Sequence, residues 1–369
     1  MARKLQSDKW LFLATLALIC ASVVMVYSAS ALVALERFQQ PYLFVTKQIM
    51  WAAVGLAVLS IVMRIDYRAY RNDRMLWFLL AVVTVMLVAV LFRQPINGTR
   101  RWFGIGGFGI QPSELAKLSA ILFTALMLER RRARINELQY SLLPIALIVG
   151  GIVALILLQP DFGTAVSLLA VIAVMVFAAG ISYRYLFGAA MLALPALYVI
   201  LMQADYRRRR LLTFMDPWAD PLGDGFQIIQ SLIAVGTGGV FGKGLMNGVQ
   251  KLFYLPEPHT DFIYAVISEE TGFIGASLVL LCFCVIAWRG LRTAMRAPDT
   301  FGAFLALGIT MMLVLQAFVN ISVVLGLMPT KGIPLPLVSN GGSSMLMNLL
   351  AIGVLLNISQ HSQVETGAA

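Results

Sequence analysis

Long apolar stretches separated by short polar segments make up most of this chain of 369 residues. Most of them are long enough to cross about 30 Å of membrane hydrocarbon, for which a helix needs about 20 residues. Because a backbone in lipid must satisfy its own hydrogen bonds, we predict that these stretches are helices. Ten spans can be drawn, near residues 10–30, 43–63, 75–92, 114–129, 142–159, 162–180, 183–203, 262–288, 301–325 and 341–358. The pattern predicts an all-α polytopic membrane protein, with residues 1–369 in a single integral membrane domain.

Prolines and one long polar segment modify this pattern. Pro144, Pro160 and Pro195 interrupt or bound several of the apolar stretches, so nine or eleven spans fit the sequence as well as ten. Residues 204–261 form a much longer polar connection, in which the apolar period from Phe226 to Val235 is typical of a short amphipathic helix. We therefore expect about ten transmembrane helices and one large loop that carries short amphipathic helices.

Composition and the placement of charge agree with a membrane protein and orient it. Hydrophobic residues make up 60% of the chain and charged residues 12%, whereas soluble domains carry about a quarter charged residues. Basic residues gather in the loops on one side of the predicted spans, which the positive-inside rule assigns to the cytoplasm. They are Arg3, Lys4, Lys9, Arg64, Arg68, Arg71, Arg74, Arg130, Arg131, Arg132, Arg134, Arg184, Arg289, Arg292 and Arg296. Both termini are predicted in the cytoplasm and the 204–261 loop outside. The net charge of +10 comes largely from this belt, so it gives no reason to expect nucleic-acid binding.

Cysteine and histidine usage gives no sign of a metal centre. Cys20, Cys282 and Cys284 all lie in apolar stretches without metal-ligand spacing, so a disulfide framework is not expected either. The chain has two histidines, His259 and His361, which do not suggest a zinc site. No metal site built from protein ligands is predicted.

The segment from Pro256 to Gly272 joins a polar loop to the start of a long apolar helix. Asp261 lies where the loop enters the helix, and Glu269 and Glu270 follow about two helical turns further in. Ionisable side chains at such positions are rare unless they face a cavity, a partner charge or a substrate. Asp261 is therefore the leading candidate for a catalytic residue. The alternative is structural, with Thr260 or Asp261 capping the helix and the two glutamates paired inside the bundle.

A second charged pair, Glu114 and Lys117, lies one helical turn apart at the start of the fourth span. Either the pair neutralises itself, or both side chains point into a polar cavity in which Lys117 contacts the Asp261 carboxylate. The second arrangement would keep Asp261 ionised despite its desolvation.

Basic residues on the outer side run against the general charge bias and suggest a ligand of negative charge. Arg100 and Arg101 lie in a loop of glycines and aromatic residues from Asn97 to Gly107, where contact with lipid headgroups is the alternative. A basic run from Arg207 to Arg210 stands in the long loop. Asp161, in the turn between two spans, is a weaker catalytic candidate because turn chemistry alone explains an acidic residue there.

Two further outer segments are candidates for the surroundings of a site. The glycine-rich run from Gly236 to Gly244 is not a P-loop, because Gly244 stands where Ser or Thr is required. Its amides could form an anion-binding concavity with Lys243 and Lys251, or the run could be a hinge without a ligand. Three prolines between residues 328 and 336 prevent a continuous helix, which predicts a re-entrant segment beside the site.

Several motifs follow one another along the chain. They are Gln111-Pro112-Ser113-Glu114, Gln159-Pro160-Asp161, Asp216-Pro217-Trp218, Gly225-Phe226-Gln227-Ile228-Ile229-Gln230-Ser231, Tyr254-Leu255-Pro256-Glu257-Pro258-His259-Thr260-Asp261-Phe262 and Gly341-Gly342-Ser343-Ser344. Together they resemble the SEDS (shape, elongation, division and sporulation) family over nearly the whole chain. Pro329-Thr330-Lys331-Gly332 and the long loop are more like the division member of that family, whereas residues 333–336 lean towards the elongation member. Asn340 departs from the tyrosine usual in the last motif.

The resemblance implies a peptidoglycan glycosyltransferase that polymerises lipid II into β-1,4 glycan strands at the outer face of the bacterial cytoplasmic membrane, at the division septum. It also implies a class B penicillin-binding protein and other divisome membrane proteins as partners. Asp261 is then the essential acidic residue, with Glu114 and Lys117 in the polar cavity. Further motif residues expected to bind substrate or support the site are His259, Thr260 and Ser343.

The mechanism that we hypothesise uses Asp261 as a general base on the 4-hydroxyl of the acceptor sugar, with inversion at the donor carbon. The charge of the departing lipid pyrophosphate would be met by Arg100, Arg101, Lys243 or Lys251, or by a divalent Mg²⁺ or Mn²⁺ cofactor. Three alternatives remain open at this point: a carrier that flips lipid II, an elongation-type polymerase, and a non-catalytic scaffold for division proteins.

Overall fold

The computed structural model describes residues 7–94, 100–105, 108–202, 205–252 and 254–365. Within these residues the chain forms twelve α-helices and one short β-hairpin. The helices are α1 (Lys9–Phe38), α2 (Leu43–Val62), α3 (Asp73–Leu91), α4 (Pro112–Arg131), α5 (Leu143–Leu158), α6 (Phe162–Ala178), α7 (Tyr183–Met202), α8 (Asp205–Met215), α9 (Phe226–Gly238), α10 (Ile263–Met295), α11 (Thr300–Val324) and α12 (Gly342–Glu365). Strands β1 (Phe103–Ile105) and β2 (Phe108–Ile110) pair antiparallel.

All ten apolar stretches that the sequence predicts as spans are helical, which confirms the predicted fold class. In the described part of the chain, seven helical segments are long and apolar enough to cross a membrane by length and composition, and α6 is a shorter apolar helix. Pro144 lies in the first turn of α5, where a proline is tolerated, and Pro160 lies between α5 and α6. Pro195 lies inside α7 without ending it.

The connection between α7 and α10 is only partly as predicted. The amphipathic helix expected at Phe226–Val235 is confirmed as α9, and its Ile228 and Ile229 are buried. Helix α8 was not predicted, because the four arginines from Arg207 to Arg210 obscure its apolar period. The hairpin was not predicted either, since strands of three residues are too short to show an alternating pattern. Residues 97–99 and 106–107 of the predicted arginine-containing loop lie outside the described residues.

The centre of the bundle is occupied by α4, which packs against α3, α5, α6, α11 and α12. Most of its residues are buried, on every side of the helix, as expected for a helix surrounded by other helices. Small residues such as Ala116, Ser119 and Ala120 let the neighbours approach closely. Because α4 begins with Pro112, Ser113 and Glu114, its first turn carries polar groups directly into the protein interior.

Consecutive long helices alternate in direction, and the two ends of the bundle differ chemically. One end, which we call the Asp261 end, gathers the starts of α4, α6, α10 and α12 with the loops between them. The opposite end carries both described termini and is tied by ion pairs and hydrogen bonds, such as Arg289 to Asp8 at 2.5 Å and the Tyr67 hydroxyl to Asp299 at 2.6 Å.

Helix α10 is broken at Gly272, whose φ of 65° lies in the left-handed region that favours glycine. The break is filled by the glycine-rich segment, because Phe273 N donates to Gly239 O at 2.9 Å and Gly244 N donates to Glu270 O at 3.0 Å. The approach is too close for side chains, since a Cβ on Gly242 would lie 2.2 Å from the Glu270 carbonyl oxygen. The glycines therefore restore the hydrogen bonds that the break leaves open.

Candidate active site

Asp261 lies in the loop just before α10 and does not cap that helix. The N-cap of α10 is Phe262, and no side chain bonds to its first amides, so the capping alternative is wrong. The main chain of Asp261 is instead held by Asn320 of α11, whose Nδ2 donates to Asp261 O at 2.8 Å and to Ile333 O at 2.7 Å. Asn320 is buried and joins the loop before α10 to the loop before α12.

The Asp261 carboxylate is half-buried against the backbone of Gly332. A Cβ on Gly332 would lie 2.8 Å from Asp261 Oδ2, so any larger residue there would push against the carboxylate. Gly332 itself is exposed. The carboxylate is therefore enclosed by protein on most sides and still reachable from the surface at the Asp261 end.

Burial raises the pKa of Asp261 from 3.8 to about 6, and the nearby Glu257 adds to this shift. Arg210 and Arg101 act in the opposite direction, and Asp161 raises the pKa slightly. A carboxylate with a pKa of about 6 is ionised at neutral pH and is a much better proton acceptor than an ordinary aspartate. Desolvation is the dominant cause, as is common for acids at functional sites.

The predicted contact between Lys117 and Asp261 is wrong. Lys117 Nζ lies 3.0 Å from Glu114 Oε2 and donates to Gln316 Oε1 at 2.9 Å, and it is not among the main causes of the pKa shift of Asp261. The pair is self-neutralising, as the alternative interpretation held, but it is fully buried. Gln316 also donates to Pro334 O at 3.0 Å, so Glu114, Lys117 and Gln316 together hold the 330–336 loop from the interior of the bundle.

Arg101 and Asp161 form the second charged group of the site. Arg101 Nη1 lies 3.6 Å from Asp161 Oδ1, and Gln111 Nε2 donates to Asp161 Oδ2 at 3.2 Å. Asp161 is the N-cap of α6, and its Oδ1 accepts a hydrogen bond from Thr164 N at 3.2 Å. The turn interpretation therefore explains this part of its role. Its buried side chain also fixes Arg101 beside Asp261.

Lys331 is a residue of this site that the sequence reasoning did not select. Its side chain crosses Gly163 and its Nζ lies 5.1 Å from the centre of the Phe162 ring. Burial lowers the pKa of Lys331 to about 8, while Asp161 raises it. The available signal was a single lysine next to glycine in a proline-rich loop on the side where basic residues are disfavoured.

The basic run of the long loop contributes one described arginine to the site. Arg210 Nη1 donates to Thr330 O at 3.1 Å and its charge acts on Asp261. Arg208 and Arg209 are exposed, and the side chain of Arg207 lies outside the described residues. Arg101, Arg210 and Lys331 thus bring three positive charges to the surroundings of Asp261.

Three of the predicted anion-binding residues are used elsewhere. Arg100 donates to Leu91 O at 2.9 Å, at the end of α3. Lys243 Nζ lies 2.8 Å from Glu269 Oε1, and Lys251 Nζ lies 2.5 Å from Glu270 Oε1.

The loop that follows the glycine-rich run surrounds two anions, which are the chain's own carboxylates. Val249 N donates to Glu269 Oε1 at 2.9 Å and Met246 N donates to Glu270 Oε2 at 3.1 Å. Ser28 of α1 also bonds to Glu270, at 2.7 Å. Within the predicted run itself, Lys243 N and Gly244 N donate to the main-chain carbonyl oxygens of Glu269 and Glu270, so these amides close the break in α10 and do not line the predicted anion-binding concavity. Lys243 and Lys251, which are paired with the two glutamates, then have a supporting role.

His259, Thr260 and Ser343 also hold the site together. Asn340 N donates to His259 O at 2.9 Å, and Ser339 Oγ donates to Thr260 O at 2.6 Å. The His259 ring is buried at 4.8 Å from the Phe44 ring, and burial lowers its pKa. Gln111 N donates to Ser343 Oγ at 3.2 Å. These contacts tie the starts of α4, α10 and α12 to one another.

Metal ligands are sparse in this part of the molecule. Among the residues that the structure describes, no group of three or more His, Cys, Asp or Glu side chains is placed to hold an ion. Asp261 and Asp161 both lie in the surroundings of the three cations, and a Mg²⁺ ion needs only one or two protein carboxylates when phosphate oxygens supply the rest.

This combination of helices and loop residues can be compared with known protein families. Residues 9–364 match the family described as "Cell cycle protein", which groups FtsW, RodA and SpoVE. The chain belongs to this family, which confirms the resemblance drawn from its motifs.

Within the family, several relatives of known name cover almost the whole chain. It is 45% identical over 93% of its length to the "Probable peptidoglycan glycosyltransferase FtsW" of Geobacter sp. (strain M18), of which 94% is covered. It is 42% identical to the stage V sporulation protein E of Bacillus subtilis (strain 168), covering 98% of this chain and 99% of the relative.

Solved structures share its fold. One, described as "Structural coordination of polymerization and crosslinking by a peptidoglycan synthase complex", superposes with a TM-score of 0.80 at 31% identity and covers 97% of this chain and 99% of that one. RodA of Thermus thermophilus gives a TM-score of 0.71 at 28% identity, covering 96% and 97% of the two chains.

Proposed function

We propose that this chain is an FtsW-type peptidoglycan glycosyltransferase that polymerises lipid II, with Asp261 as its general base. The observation that carries the proposal is a desolvated carboxylate with a pKa of about 6, reachable at one end of a membrane bundle and flanked by Arg101, Arg210 and Lys331. The names of the relatives agree with this chemistry.

Asp261 removes the proton from the 4-hydroxyl of the acceptor sugar as that oxygen attacks the anomeric carbon of the donor. A new β-1,4 carbon–oxygen bond forms, the bond from the anomeric carbon to the lipid pyrophosphate breaks, and the configuration inverts. The pyrophosphate leaves with the bonding electron pair and needs no proton. One base is therefore enough, and its pKa of about 6 suits proton transfer near neutral pH.

The negative charge that develops on the pyrophosphate is stabilised by the three cations beside Asp261. This replaces the earlier expectation for Arg100, Lys243 and Lys251, whose charged groups are engaged elsewhere. If a Mg²⁺ or Mn²⁺ ion takes part, the substrate's own oxygens and one of the two aspartates would hold it.

The Asp261 end faces the outside of the cytoplasmic membrane in this proposal, and both termini lie in the cytoplasm. The basic residues of the opposite end support this orientation by the positive-inside rule. Residues 204–261 are then the large extracytoplasmic loop of a single membrane domain. The chain works at the division septum with a class B penicillin-binding protein and other divisome membrane proteins, and it does not bind nucleic acid.

The decisive experiment reconstitutes the full chain with its cognate penicillin-binding protein and lipid II in liposomes, and measures glycan polymer and lipid translocation separately. We expect the wild type to form polymer and Asp261→Asn to form it at least about 100-fold more slowly. Glu257→Gln is the matched control, because it removes a nearby exposed carboxylate and keeps the base. Polymer formation by Asp261→Asn at the wild-type rate would refute the assignment of the base, and translocation by the wild type without polymer would establish the carrier.

A further inference from the structure

A groove between three helices opens at the end of the bundle opposite to Asp261. Its volume is about 400 Å³, which lies within the usual range for ligand pockets. Phe123 of α4 forms its buried floor, and Trp77 of α3 and Leu147 of α5 form walls whose outer faces are exposed. The groove is thus an apolar slot on the side of the bundle, open towards the surrounding membrane.

The rim of this groove is basic. Asp73, Arg130 and Arg131 close it at the end where α3 and α5 begin and α4 ends. Arg130 is neutralised by Asp73, with Nη2 and Oδ1 2.7 Å apart. Arg131 donates to Tyr140 O and lies 4.8 Å from the centre of the Tyr140 ring, and it forms no ion pair with the described residues. One net positive charge therefore stands at the mouth of an apolar slot.

From these two features we infer that the groove is a binding site for an anionic phospholipid of the adjoining leaflet. One acyl chain lies in the slot between Trp77 and Leu147, and the headgroup phosphate lies beside Arg131. Basic pockets between membrane helices bind acidic headgroups in this way, and Trp77 lies in the second turn of α3, near the helix end, where indole rings favour the membrane interface. A zwitterionic lipid offers the same acyl chain without the net charge, so the site should discriminate by headgroup.

The inference rests on the proposed orientation only for naming the leaflet as cytoplasmic. Lipid binding can be measured on the purified full chain in detergent, without substrate, partner or a sealed membrane. Its failure is therefore distinguishable from the failure of the glycosyltransferase proposal.

The test titrates the purified protein with phosphatidylglycerol or with phosphatidylcholine of matched acyl chains. Lipid adducts are counted by native mass spectrometry, and the unfolding temperature is measured in parallel. We expect phosphatidylglycerol to bind more tightly. Arg131→Gln keeps a donor for Tyr140 O and removes the charge, and it should weaken that binding about fivefold, the effect of about one basic residue at a membrane surface. Leu147→Trp should abolish tight binding of both lipids by filling the slot.

Arg132→Gln is the matched control, because Arg132 follows Arg131 directly, is exposed and does not line the groove. It should change the affinity for phosphatidylglycerol less than twofold. Equal binding of the two lipids, an equal effect of the Arg131 and Arg132 substitutions, or full binding by Leu147→Trp would each overturn the proposal. The steric variant keeps the test decisive if Arg131→Gln proves unstable, because Leu147 is 65% exposed and tolerates a larger side chain.

Discussion

Asp261 and the pair Glu269 and Glu270 lie within ten residues of each other on the same segment, but their carboxylates have very different hydrogen-bond and ion-pair partners. Glu269 and Glu270 are fully buried, and each is matched by a lysine and by a backbone amide of the loop that follows the glycine-rich run. Among the described residues, the Asp261 carboxylate has no ion-pair partner of this kind, and two arginines act on it only from a distance. The glutamates are therefore structural anions, whereas Asp261 retains a carboxylate free to take a proton. All three side chains are carboxylates, so their different roles follow from whether a lysine and backbone amides are bonded to them.

The largest expected effect is on activity when the unpaired carboxylate is removed. Asp261→Asn should lower polymerisation about 10²- to 10⁴-fold, the usual contribution of a general base, measured as glycan formed per folded protein. Its stability should not fall. Protonated Asp261 favours the folded state fully below the unfolded pKa of about 3.9, and this contribution is lost as the pH rises through about 6. At pH 7.5 the variant should unfold at the same or a higher temperature, and a lower one would contradict the account.

The paired cluster should respond in the opposite way. Lys251→Met leaves the Glu270 charge buried without its lysine and should cost about 3–5 kcal/mol of stability, with glycan formation per folded protein largely retained. Lys243→Met is the control, because Lys243 is partly exposed and Glu269 keeps its backbone donors, so its cost should be smaller. Thermal unfolding measures the stability of both variants. Equal losses of stability would mean that the deeper burial of the Lys251–Glu270 pair does not make it more important than the Lys243–Glu269 pair.

Asn320 connects the two loops at Asp261 and gives an intermediate prediction. Asn320→Ala leaves two carbonyl oxygens without their donor, at about 1–3 kcal/mol, and should also lower kcat because Asp261 is no longer held in place. Asn357→Ala is a matched control at the other end of the bundle, where the buried side chain bonds Tyr67 N and Met63 O. A fall in kcat of the same size in both variants would assign Asn320 a purely structural role.

The smallest effect concerns the pH profile. Activity should rise as the pH passes about 6, where Asp261 ionises, and fall above about 8, where Lys331 loses its charge. Lys331→Arg keeps a positive charge at all these values and should move the falling limb upwards, while the rising limb stays in place. The measurement is the rate of polymerisation between pH 5 and 9.5, and an unchanged upper limb would exclude Lys331 from the chemistry.

The span pattern and the motifs were enough to predict the ten apolar helical stretches and the family, and they selected Asp261 as the candidate base. Hydrophobic length is a local property, so the helices could be found along the chain. The partners of charged residues are not local. Lys117 was matched with Asp261, but it bonds to Glu114 one turn away and to Gln316 from another helix.

What the sequence by itself determined is the class of protein, the helical segments and the set of ionisable residues at one end of them. Only the tertiary structure decided which of these residues meet. Asp161, Arg210 and Lys331 come from three separate segments, and the site forms because α6, α8 and the 330–336 loop converge on Asp261. The same packing placed Lys243 and Lys251 on the two glutamates. The physical reason is that a charge in a low-dielectric interior is governed by its nearest neighbours in space, whatever their distance along the chain.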